Sequence, residues 1–357
     1  MKKWIIIGLI VLVGGAILIV PLVNNDAGCE GDAAMFTFDG NLACPINQVI
    51  EVKAEVKCDQ VTLLEVICND EVIESWKDPK GTVSFKFDGS VHGLGAKSFN
   101  LRATLSDGTS MVDRRLLRVL SDIEPEEYEA VVKSTFPHIA TSFTQGLEFY
   151  KGKLYEGTGD PGQRGSTVVA EVDLTSGKHV QSVGLDATYF GEGITILNDE
   201  LFQLTWQNGK CFVYDVNSLS DNLIKREFTY KTEGWGLCND GKSIIMSDGS
   251  ERLTFRNPTT FKIERTIEVY DNLGPMPRLN ELEYMDGLIY ANVWTLNFVV
   301  AIDPKTGKVV KKIDATELVK VGRGNGEVLN GIAANDGKIY MTGKNWNALY
   351  EVQFVKK

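Results

Sequence analysis

Histidine and proline are scarce in this chain, at 3 and 10 residues among 357. The histidines, His92, His138 and His179, stand at unrelated places, and neither an H-E-x-x-H run nor a C-x-x-C pair occurs. These absences remove the usual supports for a zinc site or a thioredoxin-type thiol pair, so neither a metal nor a cofactor is expected. Positive charge is in deficit: 37 Lys and Arg against 48 Asp and Glu give a formal charge of -11. Phosphate backbones are bound by clustered basic side chains, and with no such cluster nucleic acid is not expected as a partner. Little proline beside 35 glycines, with recurring Asp-Gly and Asn-Asp turn dipeptides, points to many short strands instead of long helices. All-β is the expected class, with room for two or three domains.

What is present begins with Met1-Lys2-Lys3 and an uncharged apolar run from Trp4 to Val23. About 20 such residues span a bilayer as a helix, and the lysines keep that end in the cytoplasm. Residues 1–28 therefore read as a membrane anchor or signal segment, with the rest on the periplasmic or extracellular side. Two alternatives stay open: plain cleavage, and lipidation at Cys29, where Ala27-Gly28-Cys29 resembles the end of a lipobox although Asp26 stands where an aliphatic residue is expected. Six cysteines in an exported chain invite pairing. Spacing does not assign the pairs, and for Cys211 and Cys238 buried thiols compete with a bridge.

Within residues 29–121 short segments alternate with period two from Gln48 to about Val119, among them VIEVKAEVK, VTLLEVIC, GTVSFKF and KSFNLRATL. Asn69-Asp70, Pro79-Lys80-Gly81 and Asp107-Gly108 fall where hairpin turns belong. A small β-sandwich of immunoglobulin type is expected there, followed by an acidic linker, SDIEPEE, from Ser121 to Glu127. Beyond it a fourteen-residue segment recurs five times without gaps, beginning at Gly146, Gly193, Gly236, Glu281 and Gly331. Each copy reads as strand, turn, strand, at the spacing of one four-stranded blade. Residues 127–357 are expected to form a five-bladed β-propeller, closed by the segment Glu129 to Phe136, because an open edge would leave backbone groups unpaired. Two packed sandwiches would not require one register to recur five times.

In such a ring equivalent positions face one axis. The residues preceding the copies are Gln145, Glu192, Trp235, Asn280 and Asn330; those ending them are Gly159, Trp206, Gly249, Trp294 and Lys344. The column of Leu154, Leu201, Ile244, Ile289 and Ile339 inside the repeat is apolar, as core positions are. Aromatic walls with a few placed polar groups describe a small-molecule pocket. A single Trp at a blade end is usually core and a lone Lys usually solvated; their joint placement by one register favours a site. Glu192 stands out because Gly191 and Gly193 leave its backbone bare for a close substrate. Neighbouring indoles would raise its pKa, as suits a group that both takes and gives protons. The competing reading is a Glu bonded to a turn amide.

At these positions the sequence resembles the plant and bacterial type of glutaminyl cyclase. The matching stretches run in order from FTQGLE at 143 to 148 through FGEGIT at 190 to 195, LTW at 204 to 206, GWGL at 234 to 237, LNELEY at 279 to 284 and NVW at 292 to 294, to TGKNW at 342 to 346. The resemblance implies conversion of the N-terminal glutamine of peptides or proteins to pyroglutamate with loss of ammonia. It implies Glu192 as the proton-transfer group and Trp206, Trp235 and Trp294 as an aromatic cage. Phe143, Gln145, Asn280 and Lys344 follow as pocket and polarising residues, with Asn330 joining the pocket by its column. Gln145, Asn280 and Lys344 are expected to hold the amide oxygen. Two rivals remain: a cell-surface propeller that binds peptide or glycan without turnover, and a metal-dependent propeller hydrolase, which would need several carboxylates around one ion.

Overall fold

The computed structural model describes residues 29, 31–162, 167–221 and 223–357. The apolar run at 4–23 lies outside them, and among the described residues no helix is long and apolar enough to cross a membrane. The protein is all-β. Backbone contacts divide it into two compact units: one holds Glu51–Lys86 and Ser98–Leu116, the other Leu117–Lys357 with Leu42–Ile50 and Phe87–Lys97.

The N-terminal strands are β1 (Ala34–Phe36), β2 (Asn41–Pro45), β3 (Val49–Val56), β4 (Val61–Cys68), β5 (Glu71–Lys77), β6 (Gly81–Asp88), β7 (Gly95–Leu105) and β8 (Ser110–Leu120). They form a three-stranded sheet, β1-β3-β6, and a five-stranded sheet, β2-β8-β7-β4-β5. Asn69 and Asp70, both with positive φ, make the tight β4–β5 hairpin, since a two-residue turn matched to strand twist needs left-handed backbone at both positions. The expected hairpin at Pro79 to Gly81 is not one. Strands β5 and β6 lie in different sheets, and that turn carries the chain from one to the other. Cys29 is bonded to Cys58; Cys44, Cys68, Cys211 and Cys238 are buried outside disulfides.

The repeat region folds into antiparallel meanders. One sheet holds β10 (Phe143–Tyr150), β11 (Lys153–Gly159), β12 (Val168–Val172) and β13 (His179–Gly184). The next holds β14 (Gly191–Leu197), β15 (Glu200–Thr205), β16 (Lys210–Asp215) and β17 (Ile224–Thr229). A third holds β18 (Leu237–Asn239), β19 (Ile244–Ser247), β20 (Arg252–Arg256) and β21 (Ile263–Glu268). The last sheet has eight strands. Its halves are β22 (Leu279–Met285), β23 (Leu288–Val293), β24 (Phe298–Ile302) and β25 (Val309–Asp314), then β26 (Leu329–Asn335), β27 (Lys338–Gly343) and β28 (Ala348–Lys356). Strand β9 (Glu126–Pro137) joins them, antiparallel to β28 and parallel to β25. The segment expected to cover an open edge thus occupies it, and is longer than its sequence pattern suggested.

Strands β10, β14, β18, β22 and β26 adjoin one another in cyclic order and surround a common axis. Glycine lets them approach. A Cβ at Gly146 would lie 2.5 Å from the Ile194 nitrogen, and one at Gly236 would lie 1.9 Å from the Asn280 carbonyl. Outward from the axis the sheets bury apolar side chains between them. Leu154, Leu201, Ile244 and Ile289 are within the core, and Ile339 is partly buried.

Candidate active site

Gln145, Glu192, Asn280 and Asn330 lie where the inner strands break register. In β10 the pairing with β11 jumps from Thr144 to Gly146, skipping Gln145. In β14 it skips Glu192 and Gly193, in β22 Asn280 and Glu281, and in β26 Asn330 and Gly331. An unpaired residue in a strand bends it and re-aims its side chain. The irregularity recurs because the repeat recurs, and it turns polar groups from adjacent sheets toward the axis. Trp235 lies just ahead of β18, where its carbonyl accepts from Gly193 N at 2.7 Å and its own amide donates to the Ser247 carbonyl at 3.1 Å.

Phe143, Gln145, Glu192, Trp206, Trp235, Asn280, Trp294 and Lys344 all line one cavity of about 670 Å³. Glu192 is its chemical centre, with only 5% of its surface exposed. Gln145 donates Nε2–H to Glu192 Oε1 at 3.0 Å. Burial pushes the Glu192 carboxyl well above the ordinary carboxylate range; the Lys344 ammonium opposes that push and the Glu233 charge adds to it. Removing a carboxylate from water disfavours its charged form unless enough donors replace the lost hydration, and one amide does not.

Lys344 follows β27 and is held by backbone on both sides. Its amide donates to Val328 O at 3.0 Å and its carbonyl accepts from Glu327 N at 2.7 Å. Behind it Trp346 is fully buried and donates its indole N–H to Glu327 O at 3.1 Å, which explains the tryptophan two residues after the lysine. The Lys344 ammonium stands 4.7 Å from the Phe143 ring centroid, a favourable cation–π placement. Burial lowers its pKa, against the charges of Glu192 and Glu327.

The indoles form walls instead of core. Trp206 and Trp294 are 38% and 40% exposed. Trp294 meets Trp235 edge to face at 5.6 Å, and Trp206 meets Phe190 likewise at 5.7 Å. Asn280 is buried, and its Oδ1 has no partner among the described residues, leaving an acceptor at the cavity wall.

Three expectations change. Asn330 is fully buried and does not line the cavity; it lies behind Gln145, donating to Gln145 Oε1 at 3.2 Å and to Thr144 O at 2.9 Å. Gln145 is consequently engaged at both ends, by Glu192 and Asn330, which leaves it one N–H of Nε2 for a substrate. The glycines beside Glu192 serve packing, not substrate approach. A Cβ on Gly193 would meet the Leu237 nitrogen at 2.6 Å, and one on Gly191 the Thr158 carbonyl at 2.7 Å.

Sequence reasoning also passed over Phe190 and Glu233. Phe190 bridges Phe143 and Trp206. Glu233 accepts the indole N–H groups of Trp206 and Trp235 on one oxygen, at 2.8 and 2.9 Å, and Gln207 on the other at 3.1 Å. Its position two residues before Trp235 was a visible signal, but charge in a connecting segment ordinarily means solvation.

The family model for glutamine cyclotransferase matches residues 100–354. A curated glutaminyl-peptide cyclotransferase of Arabidopsis thaliana is 38% identical over 240 residues, covering 65% of this chain and 73% of the relative. The crystal structure of Myxococcus xanthus glutaminyl cyclase superposes with a TM-score of 0.60 at 35% identity, covering 66% of this chain and all of that one.

Proposed function

This chain belongs to the glutamine cyclotransferase family and is an enzyme of the glutaminyl-peptide cyclotransferase type, and we propose that its reaction runs in the cavity around Glu192. The observation that carries the reading is a buried carboxyl, lifted in pKa and fixed by Gln145, facing three indoles and one lysine in a single cavity.

The substrate is a peptide or protein with N-terminal glutamine. Its neutral α-amine attacks its own side-chain amide carbon, so nucleophile and electrophile already share one molecule. The enzyme mainly restricts rotors, and orientation of this kind is worth several of the roughly 7–11 kcal/mol available from proximity effects. Trp206, Trp235 and Trp294 fold the glutamine chain into a ring-like pose. Ionised Glu192 accepts a proton from the attacking nitrogen as the new C–N bond forms. It returns that proton to the departing nitrogen as the old C–N bond breaks, releasing ammonia and regenerating the carboxylate. General acid–base help of this kind is worth about 10²- to 10⁴-fold. Lys344 stabilises the oxygen as it gains negative charge, at about 3–4 kcal/mol for a well-placed donor. Asn280, expected to hold the amide oxygen, instead offers its uncommitted Oδ1 to an N–H of the bound glutamine. No step calls on a metal.

The same reading takes residues 127–357 as a five-bladed propeller whose eight-stranded sheet is two blades joined through β9, and residues 29–121 as an immunoglobulin-like sandwich. It also places the globular part outside the cytoplasm, anchored through residues 4–23; the Cys29–Cys58 disulfide supports an oxidising compartment.

The test is Glu192→Gln assayed with a Gln-initiated peptide for ammonia release and for loss of about 17 Da, the mass of the ammonia eliminated in general acid–base cyclisation. A fall of at least about 10² in kcat is expected. Turnover close to the parent would remove Glu192 from the chemistry.

A further inference from the structure

Two of the three indole walls are fixed by one carboxylate that has no place in the scheme above. Trp206 follows β15 and Trp235 precedes β18, so these walls come from different sheets. With over a third of its surface exposed, Trp206 is held by packing only in part, edge to face on Phe190. Glu233 Oε2 accepts both indole N–H groups, and Oε1 accepts Gln207 Nε2–H. The backbone brings it there. Gly234 N donates to Trp206 O at 2.9 Å, and a Cβ on Gly234 would lie 2.8 Å from Thr205 O and closer still to the Tyr230 hydroxyl. Only glycine lets the segment lie this close, and it sets the carboxylate of the preceding residue at the N–H edge of both rings.

We propose that Glu233 is a positioning residue for the cyclisation: its carboxylate locks Trp206 and Trp235 in one arrangement and adds a fixed negative charge to the field at Glu192. This rests on the cavity being the cyclisation site. Three donors need an acceptor-only group, and an ionised carboxylate is one. Burial works against its charge, but the bonds from Trp235, Trp206 and Gln207 outweigh it and hold Glu233 below the ordinary carboxylate range. It therefore stays charged wherever Glu192 titrates. Among the described residues two charged groups act on Glu192, Lys344 just after β27 and Glu233 from the segment before β18. Tyr230, whose pKa burial pushes up, stays neutral nearby.

Two variants separate tether from charge. Glu233→Gln keeps an acceptor for the indoles and removes the charge; because that charge disfavours ionised Glu192, the acidic limb of kcat/KM should move to lower pH. Glu233→Ala removes the tether. In a Glu192→Gln background, where turnover is suppressed, it should weaken binding of a Gln-initiated peptide, followed by indole fluorescence, by at least about tenfold. An acidic limb that stays in place in Glu233→Gln, or binding within about twofold of the Glu192→Gln parent, a change too small to represent a lost positioning contact, overturns the proposal. Full ammonia release by Glu192→Gln alone would instead overturn the reading on which it rests, and that single variant tells the two failures apart.

Discussion

Gln145 and Glu192 form a directed pair: the amide donates to the carboxyl at 3.0 Å while its own oxygen is held by Asn330. Being occupied at both ends, the amide has one orientation, and the acid it grips has one as well. Glutamine is the residue for this task because it joins donor and acceptor in one short rigid group.

Gln145→Leu should therefore lower kcat more than it raises KM. The wall of the cavity is preserved in volume, but the proton-transfer group is free to rotate, and a fall of about 10- to 100-fold in kcat is expected from lost orientation. Steady-state kinetics on a Gln-initiated peptide check it; a change confined to KM would mean that Gln145 only binds.

Lys344 carries the second prediction. Its ammonium favours ionised Glu192 and so opposes the effect of burial on that carboxyl. Lys344→Met takes the charge away and raises the Glu192 pKa further. The acidic limb of kcat/KM should move to higher pH, with a fall of about 10²-fold or more at the optimum from the lost oxyanion donor. An acidic limb moving the other way would contradict the assignment of Glu192 as base.

A third concerns stability. His138 places Nδ1 2.7 Å from Trp346 O and Nε2 3.0 Å from Glu156 Oε1; an acceptor at each nitrogen favours the doubly protonated ring. Burial lowers the His138 pKa, yet the Glu156 charge and these bonds outweigh it and leave it above 6.5. Burial likewise works against charged Glu156, but His138 and Thr144 hold it below 4.5. The Glu156 contribution is present above pH 4.5 and lost as pH falls through its lowered value. The His138 contribution is present below pH 6.5 and lost as pH rises through its raised one. The Tm difference between the parent and His138→Gln should accordingly be largest between pH 4.5 and 6.5 and shrink on either side. Thermal unfolding across that range decides it, and a flat difference would deny the ion pair.

Thr295 supplies the fourth. It follows Trp294 at φ 68, a left-handed backbone that a β-branched residue adopts at a cost of about 1–2 kcal/mol. Its hydroxyl accepts from Arg278 at 3.1 Å, and asparagine can accept as well while tolerating that backbone. Thr295→Asn should raise Tm by about 1–4 °C. A lower Tm would show that the threonine is not strained in its setting.

Much of this was legible because a repeat turns sequence columns into spatial rings. Gln145, Glu192, Trp235 and Asn280 share one column, and the bulges that aim Gln145, Glu192 and Asn280 follow from the same register. Asn330 obeys the column yet faces Gln145 instead of the cavity, since five equivalent side chains cannot all reach one small volume. Glu233 escaped for the opposite reason: it lies in a connection, where no repeat marks it, and its meaning comes only from the two rings above it. In the N-terminal region the turn at Pro79 to Gly81 shows a further limit. Turn residues announce a change of direction but not which sheet the next strand joins.

Strand β9 is synthesised before either of the partners that flank it, β25 and β28. On the ribosome it must wait through almost the whole of the remaining chain with its backbone groups unsatisfied, a condition that invites pairing with the wrong neighbour. Its many charged side chains, Glu126, Glu127, Glu129 and Lys133 among them, give it the solubility to wait, and truncation within β28 would leave the nascent protein with its seam open.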